Sequence, residues 1–194
     1  MAVNLIEELK DKGIQFEHKK KKCVGFHGTS KIIAEKVLKD NFNLDYCNSA
    51  AWLGRGIYFY DNAPFVEEGS EFAHCHAVYG AKAKEPTVLM SDLDFILLLD
   101  LDEEHNARLF WVLHGLMLKE DNDVDDLVVA FLIGTEVAKE MKSEAVGWRF
   151  PKRESKAVLD DPKYKPKKQF GFAVKQVKTI SGTRLHKRSS KKPR

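Results

Sequence analysis

The sequence predicts a mixed α+β domain built on a split sheet. Short strands rich in β-branched and aromatic residues are interspersed with amphipathic helical segments along the chain. The 194 residues include 43% hydrophobic residues, which is enough for one core, and they contain no internal repeat. We therefore expect a single domain over residues 1–180, followed by a basic flexible tail over residues 181–194.

The first predicted elements are a helix, a strand and a second helix. Apolar residues at helical spacing predict a helix over residues 3–12 that ends at Gly13. Cys23–His27 is typical of a short buried strand, and the lysine run 18–22 before it is expected to be a solvated turn. Ser30 is a suitable N-cap for the next helix. Four apolar side chains share one face of that helix: Ile32, Ile33, Val37 and Leu38.

Alternating strand and helix patterns continue to the C-terminus. Aromatic residues after a glycine-rich turn indicate a strand, and apolar residues three and four apart indicate helices. An aromatic strand is predicted to end at Tyr60, followed by a helix over 65–78 and by one strand, or two with a kink, over 87–99. The remaining predicted elements are helices over 103–119 and 127–141, a proline-interrupted loop over 149–168 and a final strand over 170–177.

The net charge of +3 conceals a strong asymmetry along the chain. Residues 1–148 carry a net charge of −10, and residues 149–194 carry +13. Aromatic residues lie among these C-terminal cations, which is typical of contact with single-stranded nucleic acid. The alternatives for the basic residues are a solvated tail or an acidic protein partner. The acidic stretch 92–126 could pair with a basic partner protein or with the chain's own tail. The predicted nucleic-acid contacts are Arg149, Lys152, Arg153, Lys167, Lys168, Arg184, Lys187 and Arg188.

The same sequence disfavours several other classes. No apolar run reaches 18 residues and the start lacks a signal-peptide pattern, so neither a membrane span nor secretion is expected. Three cysteines without a CxxC spacing favour a reducing cytoplasmic location. No metal site is expected, because alternate residues of His74–His76 point apart on a helix and the acidic run 121–126 lacks the glycine and closing glutamate of a calcium loop.

Two short motifs carry the predicted chemistry. Phe26-His27-Gly28-Thr29-Ser30 lies at a strand end, and Leu53-Gly54-Arg55-Gly56-Ile57-Tyr58-Phe59-Tyr60 follows about 25 residues later. Glycine next to histidine allows close approach to the backbone, the two hydroxyls suit a sugar or amide, and a tyrosine can stack on a flat ring. Together the motifs suit a heterocycle that carries a carboxamide and a ribose.

These two motifs resemble the catalytic core of the diphtheria-toxin-like ADP-ribosyltransferases, which include the poly(ADP-ribose) polymerases. The resemblance implies a split antiparallel sheet with flanking helices, NAD as the ADP-ribose donor, and a His-Tyr-Glu triad. It implies that His27 bonds the ribose hydroxyls and that Tyr58 stacks on nicotinamide. The other implied NAD contacts are the Gly28 backbone, Thr29, Ser30, Gly56, and a second aromatic wall from Phe65 or Phe72, with Tyr60 less suited.

The third triad position departs from the family pattern, because the last predicted strand has no glutamate. Gln169 is the first candidate, and Gly171 or Lys168 would hold the place in another register. Glutamine can bond a hydroxyl but cannot act as a base, which favours single transfer over polymer elongation. Three glutamates could supply a base, although a solvated helix face is the simpler interpretation: Glu136, Glu140 and Glu144.

The resemblance therefore implies a cytoplasmic mono-ADP-ribosyltransferase with a nucleic-acid acceptor, RNA favoured over DNA. Small transferases of this kind are often toxins or antiphage effectors, so an antitoxin partner is plausible. A protein acceptor is the alternative within the same class. From another class, a catalytically silent domain of the same fold would bind NAD, nucleic acid or a protein. An RNA 2′-phosphotransferase also uses NAD, but it would need a basic phosphate site of which Arg55 alone is evident.

Overall fold

The computed structural model describes residues 15–47, 51–61, 68–120, 124–150 and 169–186, with isolated positions before residue 14. It confirms a mixed α+β fold. The strands are β1 (Lys19–Ser30), β2 (Ile57–Asp61), β3 (Pro86–Asp100), β4 (Ala145–Phe150), β5 (Gln169–Val174) and β6 (Ile180–Leu185). The helices are α1 (Lys31–Asp40), α2 (Glu68–Cys75), α3 (Glu104–Glu120), α4 (Asp126–Leu132) and α5 (Ala138–Glu140). Two π-helical turns extend α2 and α4 (His76–Gly80 and Ile133–Val137), and 3₁₀ turns lie at Leu44–Tyr46 and Val177–Thr179.

Five of these strands pair in a closed ring. β1 pairs with β2 and β3, β5 joins β2 to β4, and β4 closes the ring by pairing with β3. The β3–β4 pair is parallel and the others are antiparallel. β3 is fifteen residues long, so β1 occupies one of its edges while β4 and β6 share the other.

Each face of this sheet has its own core. On the Phe59 face, three buried phenylalanines pack together with leucines of β3: Phe59, Phe95 and Phe172. On the opposite Tyr58 face, Tyr58 and Ala173 pack against the helical layer formed by α3, α4 and the π-helical turn after α4. Neighbouring residues of β2 therefore contribute to different cores, as the alternation of side chains along a strand requires.

Helix α1 confirms the predicted cap but not the predicted buried face. The Ser30 hydroxyl accepts a hydrogen bond from the Ile33 amide at 3.4 Å. Ile32 and Ile33 are 77% and 52% exposed, and Ala34 is the residue of α1 that is fully buried. The helix approaches the sheet through this small side chain, so its packed face is rotated away from the two isoleucines.

The segment predicted as one helix over 127–141 is helical throughout, but it contains a π-helical turn. Asp125 caps α4 by accepting hydrogen bonds from the amides of Leu127 and Val128. Gly134 in the π-helical turn packs closely on the next layer, because a Cβ there would lie 2.3 Å from the Leu53 carbonyl oxygen. Val128 of α4 is 46% exposed, although it is apolar.

The structure places residues 181–185 in the sheet, which corrects the predicted tail boundary. β6 pairs with β3, Ile180 is buried in the Phe59-face core, and Thr183 bonds Ser91 at 3.0 Å. Charged and small residues gave this strand the composition of a tail, although Ser181, Thr183 and Arg184 each form a hydrogen bond with β3. Within the described residues, no helix combines the length and apolarity needed to cross a bilayer.

Candidate functional site

The two sequence motifs meet where β1 and β2 separate. The strands are paired at Gly25–Asp61 and Phe26–Tyr60. At the next residue of β1 the link is a side chain: Nδ1 of His27 lies 2.8 Å from the backbone carbonyl oxygen of Tyr58. The imidazole therefore spans the gap between the strands and joins the first motif to the second.

This contact fixes the tautomer of His27. A carbonyl oxygen only accepts hydrogen bonds, so Nδ1 must carry the proton that it shares with Tyr58. In the neutral ring, Nε2 is then unprotonated and acts as an acceptor. His27 can consequently accept a hydrogen bond from a ligand hydroxyl.

The surroundings keep His27 neutral. Burial lowers the pKa of its imidazole to about 4, the bond to Tyr58 opposes that shift, and nearby His76 adds to it. The ring packs against Phe42 and Phe59, with centroids 5.3 and 5.7 Å away. Apolar contacts on this side favour the uncharged form, so the acceptor nitrogen persists at neutral pH.

Tyr58 extends to the opposite face of the sheet from His27. Its ring packs against Trp52 with centroids 5.3 Å apart. Its hydroxyl accepts a hydrogen bond from the Leu53 amide and donates one to the Gly54 carbonyl, both at 2.8 Å. Burial raises the pKa of the phenol. Tyr58 thus holds the glycine-rich loop in place, and a ligand that contacts both motifs would have to cross the strand edge.

The two motif glycines are packed against the protein's own backbone. A Cβ on Gly28 would lie 1.7 Å from the Ala73 carbonyl oxygen of α2, and one on Gly56 would lie 3.0 Å from the Val174 carbonyl oxygen. Packing within the protein therefore favours glycine at both positions, even when no ligand is bound. The neighbouring Thr29 is buried, and Ser30 serves as the cap of α1.

An aromatic group forms on the Tyr58 face beside α2. Tyr60 lies between Phe72 and His76, with ring centroids 6.2 Å from each. Phe72, expected as an aromatic wall, is buried and contacts Tyr60. Phe65, the other expected wall, lies outside the described residues. Tyr60 was expected to be less suited than these two because it adjoins the turn, but it lies in β2 and its ring packs against Phe72.

The third-motif strand, β5, pairs directly with β2. Tyr58 is opposite Ala173, and Tyr60 is opposite Gly171. Gln169 begins β5 and is opposite Phe150 of β4. The strand Gln169–Val174 has no carboxylate. Lys168, the other residue considered, lies outside the described part of the chain.

The three glutamates considered as a base have different environments. Glu136 is exposed, and Glu140 forms an ion pair with Lys10. Glu144 lies beyond the helix end and is buried, which differs from the solvated helix face expected. Its carboxylate accepts hydrogen bonds from the Ile96 amide at 2.7 Å and the Leu97 amide at 3.1 Å. Glu144 therefore stabilises the β3 backbone by accepting hydrogen bonds from two of its amides.

One predicted nucleic-acid contact is already paired within the domain. Both terminal nitrogens of Arg184 lie near the Asp92 carboxylate, at 3.2 and 3.4 Å. This confirms, for Asp92, the alternative that acidic residues of 92–126 pair with the chain's own basic quarter. Arg149 lies in β4, opposite Phe170. The other predicted contacts lie outside the described residues: Lys152, Arg153, Lys167, Lys168, Lys187 and Arg188.

A lysine that the motif analysis did not single out holds the glycine-rich loop from the other side. Nζ of Lys175, just after β5, donates to the carbonyl oxygens of Leu53 at 2.6 Å and Arg55 at 2.7 Å. Burial lowers the pKa of this ammonium to about 8. In the sequence, the feature that could have identified Lys175 is its position directly after the third-motif strand. Among the described residues, no cluster of three metal-ligating side chains occurs.

No protein-family model matches this sequence, and no curated protein is significantly similar to it.

Proposed function

We propose that this protein is an NAD-dependent mono-ADP-ribosyltransferase of the diphtheria-toxin-like type, with RNA as the favoured acceptor. The observation that carries the proposal is the hydrogen bond from His27 Nδ1 to the Tyr58 carbonyl. It joins the two motifs that resemble this family and presents Nε2 as an acceptor. A ribose hydroxyl is the donor that this nitrogen would take.

A neutral His27 suits the proposed bond cleavage. When the nicotinamide–ribose bond breaks, positive charge develops on the sugar and the bonding electrons leave with nicotinamide. An imidazolium beside that sugar would oppose the charge, whereas a neutral imidazole accepting a hydroxyl hydrogen bond does not. The lowered pKa of His27 therefore favours the proposed role at neutral pH. The acceptor nucleophile then attacks the anomeric carbon and loses its proton.

Aromatic side chains on the Tyr58 face are the proposed nicotinamide contacts. The Tyr58 hydroxyl is engaged by the loop, which leaves its ring as the part that could stack on a ligand. Phe72 with Tyr60 is the proposed second wall. The backbone of Gly28 remains the proposed partner of the carboxamide.

Gln169 is the proposed third residue. Its amide can bond a ribose hydroxyl but does not remove a proton, so the proposal predicts one transfer per acceptor and no chain elongation. Toxin or antiphage activity in the cytoplasm, with an antitoxin partner, belongs to the same proposal through the family resemblance. A protein acceptor remains the alternative substrate.

A catalytically silent domain is the second candidate function. The absence of a carboxylate in the strand Gln169–Val174 favours it. The close packing of Gly28 and Gly56 against the chain's own backbone also explains those glycines without NAD. Such a domain would bind its ligand without releasing nicotinamide.

Incubation with NAD labelled in the adenylate group, with separate pools of RNA, DNA and cell protein, tests the proposal. Label should transfer to RNA, and nicotinamide should appear in equal amount. His27→Gln should abolish label transfer and nicotinamide release. The control His105→Gln should abolish neither, because His105 belongs to neither motif and bonds the Gln15 carbonyl. NAD binding without nicotinamide release would support the silent domain. Label found only in protein would identify the alternative acceptor.

A further inference from the structure

A cleft of about 550 Å³ lies between the π-helical turn after α4, the glycine-rich loop and the chain just after β5. Four cationic side chains line it: Arg55, Lys139, Lys142 and Lys175. Glu136 is the one carboxylate among its described lining residues, so the lining carries a net positive charge. The described lining residues include none of the residues that the sequence predicted as nucleic-acid contacts.

Internal carboxylates neutralise this charge only in part. Arg55 forms an ion pair with Asp45 at 2.8 Å and keeps half of its side-chain surface exposed. Lys139 and Lys142 are exposed, and within the described part of the chain no carboxylate lies within salt-bridge distance of either. Lys175 is held by two carbonyl oxygens rather than by a carboxylate. An anion in the cleft would therefore gain attraction from several cations.

The chemistry of the lining indicates which anion fits. The Thr135 hydroxyl donates to the Phe131 and Leu132 carbonyls, and the Ser143 hydroxyl bonds His18, so the cations are the lining groups that favour an anion. No aromatic side chain lines the cleft within the described residues. The lining therefore offers contacts to phosphate but no ring for base stacking. A cleft of this volume has room for a short length of sugar-phosphate backbone.

The cleft adjoins the proposed transfer site. Lys175 and the Tyr58 hydroxyl hold the same loop, Leu53–Arg55, from two sides. A strand anchored at the cleft would therefore lie against the start of the second motif, because Arg55 of that motif lines the cleft. We propose that this cleft binds the phosphate backbone of the single-stranded RNA acceptor. The inference names the acceptor surface of the proposed transferase and so rests on that function.

Binding of a fluorescent single-stranded RNA to the full chain, without NAD, tests the inference separately from transfer. The double variant K139Q/K142N removes two cations, and asparagine suits the positive φ of 55° at Lys142. We expect weaker binding and a salt dependence shallower by about 1.4, since each cation contributes about 0.7 to the slope for single strands. K31Q/K84Q is the matched control, because both lysines lie near Pro86, at the opposite end of β3 from Lys142.

Glu136→Gln gives a second test with the opposite sign. Removing the cleft carboxylate should tighten RNA binding at low salt, whereas Glu35→Gln on the exposed side of α1 should not. Equal effects of the cleft and control variants would overturn the inference. It would also be overturned if inorganic pyrophosphate bound the cleft and K139Q/K142N weakened pyrophosphate binding but not RNA binding. If K139Q/K142N is folded but loses RNA binding, while the wild-type protein transfers no label from NAD, the inference stands and the proposed activity is rejected.

Discussion

The Tyr58 hydroxyl lies 2.8 Å from the carbonyl oxygen of Gly54, four residues earlier in the chain. The Tyr58 hydroxyl oxygen also accepts a hydrogen bond from the Leu53 amide. One side chain therefore satisfies a donor and an acceptor of the loop that carries the second motif. The hydroxyl of Tyr58 supports the loop, and its ring is the part left for any ligand.

Tyr58→Phe should separate these two roles. It leaves the Leu53 amide and the Gly54 carbonyl without their partner, which should lower the free energy of unfolding by about 1–3 kcal/mol. The ring remains, so nicotinamide release should persist under conditions where the variant is folded. Urea unfolding measures the first effect, with exposed Tyr79→Phe as the control. Equal stability of the two variants would contradict the structural role of the hydroxyl.

Gly28→Ala should disrupt folding rather than merely NAD binding. The added Cβ would lie 1.7 Å from the Ala73 carbonyl oxygen, so α2 would have to move away from β1. Gly115→Ala is the matched control, because nothing lies within 4 Å of a Cβ there in α3. That change should raise the free energy of unfolding by about 0.5–1 kcal/mol through helix propensity. Thermal unfolding measures the stability of both variants. An unchanged midpoint for Gly28→Ala would contradict the close packing of Gly28 against α2.

His27 should remain neutral through the physiological range. Burial depresses its folded pKa to about 4, below the unfolded value near 6.5. The unfolded state therefore binds the proton more readily, and the associated stability is present above pH 6.5 and lost as the pH falls toward 4. Nitrogen-15 NMR should show a protonated Nδ1 and a bare Nε2 at pH 7, with the signals assigned by their loss in His27→Gln. A titration midpoint near 6.5 would refute this.

Glu144 should contribute stability that depends on acid pH. Burial alone would raise the pKa of its carboxyl, but the Ile96 and Leu97 amides and Lys178 outweigh burial and lower it. A depressed folded pKa stabilises the fold above the unfolded value of 4.5, and that contribution disappears as the pH falls through the folded pKa. The wild type should therefore exceed Glu144→Gln in urea midpoint at pH 7, with a smaller difference at pH 3. Glu35→Gln serves as control. A pH-independent difference would rule out this linkage.

Arg184 should contribute less to RNA binding than Arg188. Its guanidinium contacts the Asp92 carboxylate and the Gly182 carbonyl, so binding a phosphate would compete with these partners. Arg188→Gln should reduce the salt slope by about 0.7, the value for one cation on a single strand. Arg184→Gln should reduce it less. Salt titrations of RNA affinity measure both slopes. A larger reduction of the slope for Arg184→Gln than for Arg188→Gln would contradict this prediction.

The sequence predicts the elements of this fold better than their buried faces. Ser30 caps α1 as expected, and residues 87–99 lie in one long strand, β3. Apolar spacing in α1 pointed to Ile32 and Ile33, but the buried contact is made by Ala34. Spacing shows which residues share a helix face, while the tertiary neighbours determine which face is covered. The pairing of β6 with β3 depends on contacts 89–92 residues apart, which local patterns do not reveal.

For the candidate site, the sequence indicates the two motifs but not how they are connected. The bond from His27 to Tyr58 uses a backbone carbonyl, an atom that every residue possesses and that carries no sequence signal. Lys175 likewise acts through carbonyl oxygens of a loop 120 or more residues away. Strand alternation alone could not show that His27 and Tyr58 extend to opposite faces, because this also requires the register in which Phe26 pairs with Tyr60.

The ring of strands also sets the order in which the site is completed during synthesis. β1 and β2 emerge from the ribosome early, but β5, the partner of Ile57–Tyr60, is made more than 100 residues later. Until then β2 has an unpaired edge and the glycine-rich loop lacks Lys175. A nascent chain would therefore hold both motifs in an unfinished site. The proposed activity would therefore begin only after β5 and Lys175 have been made.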